Sequence, residues 1–147
     1  MMNPTKSVFL GLLLAFGLSG SAWAHCQIPC GIFDDDKVFT GMLEDVTTIK
    51  KSMRLIDEES AKAKPNYNQL VRWVMNKETH ADKISQTVLT YFLAQRVKPT
   101  QDDYQKKLVS LHTIITLAMK AKQSTDQELC DKLEAEIQTF HKMYHKH

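Results

Sequence analysis

Residues 35–57 read DDKVFTGMLEDVTTIKKSMRLID. Within that run Val38, Met42, Val46, Ile49, Met53 and Ile56 recur at steps of three and four, which lays them along one stripe of an α-helix. The spacing predicts a helix from about Asp35 to Asp57. Asp34, Asp35 and Asp36 stand at its N-terminal end, where the helix dipole favours negative charge.

The same pattern repeats outward towards the C-terminus. Glu58 to Pro65 form a polar connection, and Asn66 or Asn68 is placed to cap a second helix running to about Val97. Its inner positions are Leu70, Val74, Ala81, Ile84, Val88, Tyr91 and Phe92. Lys98-Pro99-Thr100 breaks the chain, with Thr100 as the expected N-cap and Asp102 and Asp103 in the first turn of a third helix. That helix presents Tyr104, Leu108, Leu111, Ile115 and Ala118. Ser124 or Thr125 is the expected cap of a fourth, with Gln127 or Glu128 completing a capping box. Its stripe is Leu129, Leu133, Ile137, Phe140 and Tyr144. No stretch alternates with period two. Four amphipathic helices with short connections predict an all-α, antiparallel up-and-down four-helix bundle over residues 34–147.

Composition agrees. A chain of 147 residues fits one domain. A formal charge of +2 argues against a strongly basic nucleic-acid binder, and 43% hydrophobic residues with both charge signs interspersed argue against disorder. Three cysteines are too few for a disulfide-dense scaffold.

Residues 1–24 read differently. Lys6 supplies a positive start, Val8 to Leu18 an apolar run, and Ser19 to Ala24 a small-residue tail ending Ala-Trp-Ala, the A-x-A pattern of a secretory signal peptide. The run falls short of the ~18–20 apolar residues a membrane span needs. His25 before Cys26 does not suit a lipoprotein, and no twin-Arg pair is present. The expectation is cleavage after Ala24 by signal peptidase, unfolded export to the periplasm or the extracellular medium, and no membrane attachment afterwards.

Cleavage makes residues 25–33, HCQIPCGIF, the new N-terminus. His25 then offers an α-amine of pKa ~8 and an imidazole. Cys26 offers a thiolate and a backbone amide nitrogen, and Cys30 a second thiolate. Pro29 and Gly31 help so short a segment bend back on an ion. Mixed nitrogen and sulfur donors with an extra imidazole suit nickel or copper(II) better than tetrahedral zinc. The Cys26/Cys30 spacing equally suits a disulfide. Neither C-x-x-C-H nor H-E-x-x-H is present.

This run resembles the nickel hook of nickel-containing superoxide dismutases, His-Cys-x-x-Pro-Cys-Gly-x-Tyr at a processed N-terminus. His25, Cys26, Pro29, Cys30 and Gly31 stand in register. Arg72-Trp73-Val74, Lys77-Glu78-x-His80-Ala81 and Tyr91-Phe92 resemble the second helix of bacterial relatives. The resemblance implies a four-helix bundle carrying the hook on residues 25–33. It also implies a bound nickel ion held by His25, Cys26 and Cys30, which are then the catalytic residues, and a small-anion pocket at Gln27 and Phe33. The implied reaction disproportionates superoxide to oxygen and hydrogen peroxide by Ni(II)/Ni(III) cycling, in a homohexamer. Two departures stand out. Phe33 replaces the family's tyrosine, which removes a hydroxyl from the pocket. The carboxylate and arginine that steady the axial imidazole fall at Met42 and Asn76, leaving Glu44 or Arg72 as substitutes. These departures keep open an exported nickel or copper carrier without turnover.

Other residues read as structural. Cys130 is expected as a buried or half-buried free thiol, and Glu78 with His80 as a hydrogen-bonding pair. His112 reads as structural, and His141, His145 and His147 as a solvated tail able to take up metal adventitiously. Lys37 and Lys50 could steer an anion.

Overall fold

A computed structural model describes residues 35–145. It contains helices α1 (Asp36–Ser60), α2 (Tyr67–Thr87, continued by a π-helical stretch Val88–Arg96), α3 (Tyr104–Lys122) and α4 (Gln127–Tyr144), with no strand among the described residues. Each helix packs on its neighbours in sequence, and α4 closes the ring against α1. The expected four-helix bundle is therefore the observed one. No helix among the described residues is long and apolar enough to cross a membrane. The signal-peptide and hook segments lie outside the described residues.

The core follows the stripes, with instructive shifts. Met42, Val46, Ile49 and Met53 of α1 are buried as expected, but so is Phe39, which stands three before Met42 and takes the stripe position assigned to Val38. Val38 and Ile56 are only half-buried. On α2 Val74 is exposed, whereas Ala81, Ile84, Val88, Tyr91 and Phe92 are buried. The α3 stripe is rotated. Leu111, Ile114, Ala118 and Ala121 face the core, while Tyr104, Leu108 and Ile115 sit at its margin. Leu133, Ile137 and Phe140 of α4 are buried as read, and Cys130 is a buried free thiol whose Sγ lies 3.5 Å from Met53 Sδ.

Two caps differ from expectation. α3 is entered through Asp103 in a left-handed conformation (φ 56°), not through Thr100, so Asp102 and Asp103 precede the first turn. Its carbonyl still accepts from Lys107 N at 2.9 Å. α4 is capped by Asp126, whose side chain accepts from Glu128 N at 3.0 Å, and Ser124 Oγ instead accepts from Asp126 N. Asn66 caps α2 as expected, accepting from Gln69 N at 3.3 Å.

A charge is built into the core where α2 meets the end of α3. Lys77 is buried and its Nζ donates to the carbonyls of Ala121 (3.0 Å), Lys122 and Ser124 (3.1 Å). The first two carbonyls belong to the last turn of α3, which has no helical partners and whose dipole favours a cation, and the third to the connection into α4. Burial lowers the Lys77 pKa from its ordinary value.

Candidate metal centre

The expected ligands His25, Cys26 and Cys30, and the pocket residues Gln27 and Phe33, all lie outside the described residues. The structure does describe the bundle end from which their segment departs. In an up-and-down bundle that end collects the start of α1, the end of α2 and the end of α4.

Asp35 is the root. It stands just before α1, and its carbonyl accepts from Val38 N at 2.9 Å as an N-cap carbonyl does. Its side chain does no capping. It is turned inward and buried, accepting hydrogen bonds from the hydroxyls of Tyr91 and Tyr144. Arg96 Nε lies 3.7 Å from Asp35 Oδ2 and makes no hydrogen bond, while the Arg96 guanidinium donates to Tyr91 Oη at 3.1 Å and sits 4.9 Å from the Tyr91 ring centroid. Burial, followed by the bond to Asp35, pushes both phenols above the ordinary tyrosine range, so they remain donors.

The π-helical stretch makes this arrangement possible. Val97 N donates to Phe92 O, five residues back, at 2.9 Å, and Gln95 Nε2 reaches Thr90 O, also five back, at 2.6 Å. The wider turn brings the consecutive residues Tyr91 and Phe92 both into the interior. It also sets Arg96 over Tyr91. Such π segments concentrate at functional sites. Beneath the network lies an aromatic cluster in which Phe39 contacts Phe92 at 5.0 Å and Phe140 at 5.7 Å, and Phe92 meets Tyr144 edge-on at 5.5 Å.

Next to the root, α1 and the end of α2 enclose an open groove of about 410 Å³. Lys37 and Lys83 sit on its walls with Asp45, Thr87, Thr90 and Tyr91. Gly41 lines it, and a Cβ added there would meet nothing within 4 Å. Asp45 hydrogen-bonds His80 across the helices, so His80 pairs with α1 and not with Glu78, which instead lies 3.7 Å from Lys77 and 3.4 Å from Lys122. Of the two lysines expected to steer an anion, Lys37 is at this groove, whereas Lys50 is engaged by Asp131.

The residues expected at the supports of the axial imidazole take these places among the described residues. Met42 is buried in the core. Asn76 donates to Ser52 Oγ at 3.0 Å, and Arg72 lines a small hollow with it, both well along α2 towards the far end of the bundle. Glu44 is exposed on α1, and His112 is exposed rather than structural. A carboxylate–arginine pair does exist at the hook end, Asp35 with Arg96. It went unread because its members are 61 positions apart and Asp35 looked like one of three surface acids.

A family model described as nickel-containing superoxide dismutase matches residues 20–147. No curated protein matches the chain, and no solved structure does.

Proposed function

The chain belongs to the nickel-containing superoxide dismutase family, and from that premise we propose how its own residues serve the reaction. The family makes it an enzyme, with nickel as cofactor and superoxide as substrate.

We propose that His25, Cys26 and Cys30 hold the metal. The donor set fits nickel: an α-amine of pKa ~8 sheds its proton at little cost, and thiolates with an amide nitrogen donate strongly enough to make a trivalent ion accessible. Bound there, nickel supplies one-electron cycling between its divalent and trivalent states, so that two superoxide ions and two protons become one oxygen and one hydrogen peroxide. The chain's part is to present and protect that site. The Gln27 and Cys30 backbone amides, walled by Phe33, form the anion pocket. Lys37 and Lys83 on the adjoining groove raise the local concentration of a small anion.

Maturation belongs to the same proposal. Removal of residues 1–24 by signal peptidase frees the His25 amine, so export precedes metal loading, in the periplasm or outside the cell. Self-association, with a hexamer as the family's form, is supported by an exposed apolar stripe on α2, where Tyr67 is 72% and Met75 63% accessible beside Val71 and Val74.

The single observation that carries this reading is one family match running through both the hook sequence and all four helices. Its test is an added Ala before His25. The extended protein should retain its helical circular dichroism and lose nickel-dependent superoxide consumption. Full activity in that protein would overturn the assignment of the amine.

A further inference from the structure

Asp36, His141 and His145 form a cluster that dismutation leaves unused. Asp36 Oδ1 lies 2.6 Å from His141 Nε2 and 3.1 Å from His145 Nε2. One ligand atom from each residue falls within 4.8 Å of the others. Asp36 opens α1, His141 lies in the last turn of α4 and His145, four residues on, is its C-cap, so both rings reach the same carboxylate.

The rings are held in place. Phe39 stacks on His141 with centroids 4.2 Å apart and planes at 29°. Tyr144 meets His145 edge-on at 5.4 Å. Rings packed in this way have lost much of their freedom before any ion arrives.

The spacing suits a shared ion. Ligand atoms bound at ~2.0–2.2 Å to one centre stand about 3–3.5 Å apart, so a small outward movement of the carboxylate would admit a cation between the three. The cluster is partly exposed, which leaves an entry path and room for water in the remaining positions. Two imidazoles with one carboxylate favour zinc, copper(II) or nickel. Magnesium and calcium prefer all-oxygen sites.

We propose that Asp36, His141 and His145 bind a second divalent transition-metal ion, of the zinc, copper and nickel class, separate from the hook. The ion would tie the first turn of α1 to the last turn of α4. It does not depend on the hook's assignment, because none of its ligands is shared.

The test uses the full chain beginning at His25, with His25→Ala, Cys26→Ser and Cys30→Ser removing the hook donors. Zinc(II) is titrated into it by calorimetry at neutral pH. The expected result is one zinc per chain at micromolar affinity, weakened tenfold or more by Asp36→Asn or His141→Ala. Asp36 is exposed, so Asp36→Asn reports on binding even if His141→Ala unpacks Phe39. In the protein with an intact hook, the same two substitutions should leave nickel–thiolate absorption unchanged, which separates this site from the other. No zinc uptake by the hook-less protein would overturn the proposal. So would uptake insensitive to Asp36→Asn, or uptake lost only on His147→Ala.

Discussion

Asp35→Ala should be among the most damaging single substitutions in the bundle, although Asp35 stands at the edge of the helical region. Its carboxylate is 5% accessible and the Arg96 side chain 17%, so both charges are largely withdrawn from water. Removing the carboxylate leaves the guanidinium without its counter-charge and strands the hydroxyls of Tyr91 and Tyr144. Breaking one side of a buried pair costs about 3–5 kcal/mol, against a total stability of about 5–15 kcal/mol for a domain. Urea unfolding is the assay. With a slope of ~1–3 kcal/mol per molar, the midpoint should fall by about 1–5 M with the slope unchanged. Tyr144→Phe removes one hydrogen bond to a charged group and should cost about 1.5–3 kcal/mol. The double change Asp35→Leu with Arg96→Met leaves no unpaired charge. It should be at least 1 kcal/mol more stable than the sum of the single losses. An Asp35→Ala protein within 1 kcal/mol of the parent, or strictly additive losses in the cycle, would refute the account of this network.

Three further outcomes are expected. Lys77→Met leaves the carbonyls at the end of α3 without their shared donor, and should cost about 2–3 kcal/mol in urea unfolding, whereas Lys120→Met on the exposed surface should stay within about 0.5 kcal/mol. Burial pushes the Cys130 thiol from 9.0 up to about 11. The unfolded chain therefore ionises first as pH rises. Stability should fall between roughly pH 9 and 11, by up to about 2–3 kcal/mol from this group, and Cys130→Ala should flatten that slope when urea midpoints are compared across the window. Replacing Lys37 and Lys83 together by Gln should lower kcat/KM for superoxide about two- to tenfold at low ionic strength, with the gap closing near 1 M salt; a salt-independent difference would deny them a steering role.

The bundle was legible because helices announce themselves locally. A stripe at steps of three and four needs only one stretch of chain to be read. What failed was whatever the stripe alone does not decide. Phe39 and Val38 both continue the α1 stripe at three or four residues before Met42, and Phe39 is the buried one because Phe92 and Phe140 reach it from other helices. The α3 stripe was misjudged because Ile114 and Ala121, not Tyr104 and Ile115, face the centre once α2 and α4 are in place. Caps moved by one to three residues; at α4 Ser124, Thr125 and Asp126 are all competent, and the helix start is settled by packing. The π stretch has no sequence period of its own, and two adjacent buried aromatics were its only trace.

The hook and its mount differ in the same way. Every expected ligand comes from nine consecutive residues, so the chemistry of that site can be read without knowing a fold. The mount cannot, since it joins Asp35 to residues 91, 96 and 144, and Asp36 to residues 141 and 145. Adjacent residues at the head of a helix point about 100° apart, and here the two use that divergence. Asp35 turns into the buried phenols and Arg96, while Asp36 turns out to the histidine pair. A ligand set on a short leading segment can act at a fixed distance from Lys37 and Lys83 only if the point where that segment joins the bundle is itself fixed. Two consecutive carboxylates, Asp35 held by α2 and α4 together and Asp36 by the end of α4, fix where the chain enters α1. Asp35 and Asp36, which read in sequence as a contribution to the helix dipole, are in the folded protein what ties the start of α1 to the ends of α2 and α4.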